Sequence, residues 1–95
     1  MDELLKLKIA EKEAAIIEKI QQAILHLIRE GPQNLDHIEK EMYKAFRNSF
    51  AYRKAKKAIV KKGTAVRINV TQNAHVEHPT GRWLATAEWA QAHQK

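Results

Sequence analysis

Apolar residues recur every three or four positions through the first third of the chain. At 100° per residue, Ile16, Ile17, Ile20, Ala23, Ile24, Leu27 and Ile28 fall on one stripe about 140° wide, the face of a core helix. Helical character extends from about Glu3 to Glu30, because the stretch lacks Pro and Gly and is rich in Ala, Leu, Glu and Lys. Gly31 is suited to close this helix in the left-handed conformation, and Pro32 blocks its continuation. Leu5 and Ile9 prolong the stripe upstream, but Glu13 interrupts it. Residues 1–15 are therefore expected to form a helical extension beyond the core, one that meets a partner subunit or frays.

A second helix is predicted from Asn34, whose side chain can accept from the free amides of a first turn. Leu35, Ile38, Met42, Ala45 and Phe46 line one of its faces. The tripeptide RNS at 47–49 breaks the pattern, and Ser49 is the expected cap of a third helix. There Ala51, Ala55, Ala58 and Ile59 share a face, with Tyr52 beside them, and the alanines allow close packing. Gly63 ends it. In TAVRINVT (64–71) the period changes to two, with Val66, Ile68 and Val70 alternating against Ala65, Arg67, Asn69 and Thr71, the signature of a half-buried strand. QNAHVEHPTG (72–81) has a loop composition, RWLAT (82–86) reads as a returning strand, and AEWAQAHQK forms a last short helix or docking segment. The fold class is α+β, divided into an extension (1–15), a domain (16–86) and a tail (87–95).

Charge changes the picture. The net charge of this 95-residue chain is +6, and its distribution is lopsided. Residues 1–31 carry five basic and six acidic groups, residues 32–48 three of each, and residues 49–95 nine basic against two acidic. No acid occurs between Glu41 and Glu77. A one-sided field of this kind suits a polyanion: nucleic acid, an acidic protein surface or an anionic membrane. The membrane is disfavoured, because the apolar face of the third helix is mostly Ala and too small to anchor in lipid. The chain has no cysteine, which excludes disulfides and cysteine-ligated metals. With no apolar run near the ~18 residues of a bilayer span and no secretory pattern at the N-terminus, a cytoplasmic protein is expected.

The segments Ile16–Glu30, Leu35–Phe46 and Phe50–Lys62, followed by AIVKKGTAVRI (58–68) and the hairpin Thr64–Thr86, resemble the winged helix-turn-helix superfamily. The resemblance covers roughly residues 16–86 and lies in element order and periodicity rather than a fixed string. Two features depart from the pattern: the break between the second and third helices carries no glycine, and the loop of the wing is long. The resemblance implies a three-helix core with a β-hairpin wing, the third helix in a DNA major groove and the wing on phosphate or the minor groove.

The residues themselves support such a contact. Arg53, Lys54, Lys56, Lys57 and Lys61 on the third helix can neutralise phosphates, and Arg67 and Arg82 can extend the footprint. Asn48 and Arg53, near the helix start, have the chemistry to read adenine and guanine edges. Phe50 lies by angle on the charged side, either packed under the preceding turn or touching a thymine methyl or a sugar. A merely solvated face mixes charge signs at i,i+4, whereas this one accepts like charges at Arg53–Lys57 and Lys57–Lys61. His75, Glu77 and His78 invite a metal reading, but the rest of a coordination sphere is missing, so no metal or cofactor is expected. Nothing resembles a catalytic constellation, and no enzyme activity is expected. The sequence thus points to a small double-stranded DNA-binding protein, such as a transcriptional regulator or a phage or plasmid replication accessory. Homodimerisation through the N-terminal helix is a separate expectation. The alternative is an interaction module whose basic helix binds an acidic partner protein.

Overall fold

In the computed structural model the chain begins with one long helix, α1 (Asp2–Ile28), about 40 Å from end to end. The structure describes residues 2–70 and 75–93, with side chains from residue 11 onward. Six of the seven residues of the predicted stripe form the buried face of α1: Ile20, Ile24 and Ile28 are fully enclosed, and Ile17, Ala23 and Leu27 flank them, whereas Ile16 lies exposed at the upstream end. Residues 11–16 are exposed, and the helix runs on before them to Asp2. The radius of gyration, 15.1 Å, exceeds the roughly 12 Å of a compact chain of this length for that reason. The side chains of Leu5 and Ile9 lie outside the described residues. Gly31 does not cap in the expected way. Its φ of 157° is close to extended, and the helix ends three residues earlier, where the Arg29 amide bonds His26 carbonyl.

Gln33 and Asn34 form a two-residue strand, β1, and Asn34 then caps α2 (Leu35–Phe46) by accepting from the Asp36 amide at 2.9 Å. Ile38 and Met42 are the buried anchors of α2. The missing glycine at its end is replaced by Arg47, which takes the left-handed conformation (φ 52°) and donates its amide to Tyr43 carbonyl at 2.8 Å. The next helix, α3 (Ser49–Lys61), is capped by Asn48 and not by Ser49: Asn48 Oδ1 accepts from the Ala51 amide at 3.0 Å. Ala51, Tyr52, Ala55 and Ile59 are buried against α1 and α2. Gly63, with φ 81°, closes α3. Its amide bonds Val60 carbonyl and the Thr64 amide bonds Ile59 carbonyl, a pair of bonds that leads straight into the sheet.

The sheet is antiparallel with order β1-β4-β2-β3, where β2 is Ala65–Val70, β3 His75–Glu77 and β4 Trp83–Thr86. Thus the stretch read as a single long loop contains a strand, and residues 78–82 cross from one edge of β2 to the other. This link passes over the face that carries Arg67 and Asn69. Arg67 Nε donates to Gly81 carbonyl at 2.9 Å, and Asn69 Oδ1 accepts from the Arg82 amide at 3.3 Å. Gly81 is required at the crossing, since a Cβ there would lie 2.4 Å from Ile68 carbonyl oxygen.

The predicted alternation of β2 also needs correction. Ala65 pairs with Thr86 and Arg67 with Leu84, and Ala65 and Leu84 belong to the helical core. Val66 and Ile68 therefore face the opposite side, together with Ala85 and Trp83. That side is covered by α4 (Ala87–Ala92), which is capped by Thr86 through the Trp89 amide at 3.0 Å. Trp89 holds the tail in place: its indole stacks on His93 at 4.1 Å and meets His75 of β3 at 4.8 Å. Among the described residues no helix is long and apolar enough to cross a membrane.

Candidate nucleic-acid interface

Burying Ala51, Tyr52, Ala55 and Ile59 fixes which side of α3 faces outward. Phe50, Arg53, Lys54, Lys57 and Lys61 are all exposed and lie within an arc of about 100° opposite the buried stripe. From Arg53 to Lys61 the ridge runs about 12 Å along the helix axis. Among the described residues the single ion pair is Lys44–Glu41, at 3.8 Å on α2, so no carboxylate is within pairing distance of the α3 cations. The ridge retains its charge, at a cost of a few tenths of a kcal/mol for each i,i+4 repulsion.

The other predicted contacts are deployed differently. Lys56 leaves the ridge and lies half-buried, its ammonium 5.6 Å from the Tyr52 ring centroid. Burial lowers its pKa, neighbouring Arg67 lowers it further, and Glu39 of α2 acts in the opposite direction. Tyr52 is pushed up to about 12, mainly by burial and then by Glu39. Arg67 commits its Nε to Gly81 and braces the crossing link. Arg82 is exposed, yet its backbone is bound between Asn69 and the start of α2, where the Leu35 amide donates to its carbonyl at 2.9 Å. Asn48 spends its oxygen on the helix cap. Of the eight residues singled out in the sequence, Arg53, Lys54, Lys57 and Lys61 therefore form one surface. Lys56 and Arg67 flank it, Asn48 supports its first turn, and Arg82 belongs to the link.

Phe50 is the residue the sequence left undecided. Packing beneath the preceding turn is excluded, because the ring is 62% exposed and stands outside the core cluster. Lys54 Nζ sits over it at 4.4 Å from the centroid. Its place on the helical wheel was readable. Its exposure was not, since that depends on how α2 enters the turn. Beyond the C-terminal end of α3 an open hollow of about 260 Å³ separates the helix from the first hairpin, with Val60, Val66, Arg67, Glu77 and Pro79 among its walls.

The histidine motif disperses. His75 packs on Trp89, while His78 Nδ1 accepts from the Thr80 amide at 3.1 Å. Among the described residues no three His, Cys, Asp or Glu side chains cluster as metal ligands. Comparison with protein-family models, with curated proteins and with solved structures finds no match to this chain.

Proposed function

We propose that this chain is a winged-helix domain that binds double-stranded DNA, with α3 in the major groove and the β2–β3 hairpin beside it. One observation carries the reading: Arg53, Lys54, Lys57 and Lys61 form a continuous exposed ridge with no opposing carboxylate among the described residues. A helix of this width fits the major groove, whose walls are phosphate rows. Each phosphate neutralised releases condensed counterions, and that release supplies most sequence-independent affinity. The element order, with a short strand between α1 and α2 and the strand order β1-β4-β2, supports the winged-helix assignment. The third strand, β3, is an addition folded onto the outer edge of β2.

The test is fluorescence anisotropy with a random-sequence duplex between low and moderate salt. Four ridge contacts give a slope of log affinity against log salt of about −3.6. Lys54→Glu with Lys57→Glu is expected to abolish binding while leaving the circular dichroism spectrum and melting temperature near those of the parent, because both side chains are exposed. Unchanged affinity in the double variant at low salt refutes the reading. Absence of binding to duplex DNA, duplex RNA and single strands alike transfers the ridge to an acidic protein partner.

A further inference from the structure

We infer that Phe50 is a specificity-determining contact of the α3 ridge and reads the C5-methyl group of thymine. The inference rests on the DNA-binding reading above. In a helix laid in the major groove, residues of the first turns reach base edges, and Phe50 is the second residue of α3. It points outward, contributes nothing to the core, and is surrounded on its own face by Arg53, Lys54 and Lys57.

The chemistry narrows what it can recognise. The three lysines of the ridge are flexible point charges that mainly position a duplex by its phosphates. Of the two polar groups suited to a base edge, Asn48 has its Oδ1 bound to the Ala51 amide, and Arg53 is exposed and matched to guanine, which leaves A·T pairs to another reader. Phe50 has neither donor nor acceptor. In the major groove the one apolar feature that distinguishes a base is the thymine methyl. The ammonium of Lys54 sits over one ring face, 4.4 Å from its centroid, on the side a second base would need for a sandwich. What remains open is the second face and the ring edge, enough for a methyl group. The same ammonium places a phosphate-seeking charge beside the apolar contact.

The experiment compares an alternating dA·dT duplex with its dA·dU counterpart, which lacks only the methyl groups, by anisotropy at low salt. The parent protein is expected to bind the thymine duplex about fourfold more tightly for each methyl covered. Phe50→Ala is expected to bind both forms equally, with an affinity for the uracil duplex within about twofold of the parent's, and Phe50→Leu to restore part of the preference. Its 62% exposure makes Phe50 dispensable for folding, which a melting curve of Phe50→Ala verifies. Equal affinity of the parent for the two duplexes overturns the inference, as does an unaltered thymine-to-uracil ratio in Phe50→Ala. Tighter binding to single-stranded oligo-dT that disappears in Phe50→Ala overturns it in favour of base stacking. If neither duplex binds at low salt, the DNA-binding reading itself fails, an outcome distinct from loss of the ratio alone.

Discussion

Replacing Gly81 by Ala tests whether the crossing link holds the sheet together. An added Cβ would stand 2.4 Å from Ile68 carbonyl oxygen, 2.6 Å from its carbonyl carbon and 2.8 Å from its nitrogen. These are backbone atoms of a strand paired on both edges, so no side chain can swing aside. The link must rise by roughly 1 Å to reach ordinary contact, and overpacking of this kind costs about 1–3 kcal/mol. Rising also strains or breaks the Arg67 Nε bond to Gly81 and the Arg82 amide bond to Asn69, worth about 0.5–1.5 kcal/mol each. The total is about 2–6 kcal/mol, a large share of the 5–15 kcal/mol typical of a domain. Urea unfolding followed by far-ultraviolet circular dichroism measures it. Gly63→Ala is the control: nothing lies within 4 Å of its Cβ position, and only the left-handed φ of 81° is penalised, by about 1–2 kcal/mol. A Gly81→Ala protein within about 0.5 kcal/mol of the parent refutes the argument that the crossing is tight.

Two further outcomes are expected. Tyr52 ionises near 10.0 when unfolded and near about 12 in the folded chain, so its contribution is complete below pH 10 and is lost as pH rises from 10 to 12. Melting temperatures across that window should fall more steeply for the parent than for Tyr52→Phe. Lys56, held below its usual range, acts in the opposite sense, so the difference between the two proteins is the quantity to read. If the projecting half of α1 joins two chains, deleting residues 1–15 halves the mass seen by analytical ultracentrifugation, and an unaltered mass retires the dimer.

What the sequence made legible was local. Asn34 followed by apolar positions at helical spacing defined α2 to the residue, and α3 was placed within one residue at each end. The buried stripe of α1 could be read because apolar side chains repeat on one face, although Ile16, which shares that face, lies beyond the core and is exposed. What escaped depended on pairing across the chain. The alternation of Val66, Ile68 and Val70 with Ala65, Arg67 and Asn69 marked a half-buried strand without fixing which face meets the helices, and the register with β4 turns Ala65 and Arg67 to them. Covering by α4 then hides Ile68 on the far side, and a strand enclosed on both faces no longer announces which is inner. β3 is three residues in a polar context and exists through its pairing with β2. For the site, the charge of the ridge was evident from composition. The diversion of Asn48, Lys56 and Arg67 to capping, packing and bracing was not, because each depends on a neighbour supplied by another segment.

Only Lys62, Gly63 and Thr64 separate α3 from β2, and all three of their amides are bonded back into the helix. The Thr64 carbonyl also accepts from the Ala87 amide at 3.0 Å, anchoring the junction to the start of the last helix. A joint with so little slack transmits torque. Twist applied at the hairpin turns the cationic helix with it, and neither arm can settle independently on a surface. On the proposed DNA-binding reading, a duplex is then sorted by whether its relief matches the preset angle between helix and hairpin, before any individual contact is scored.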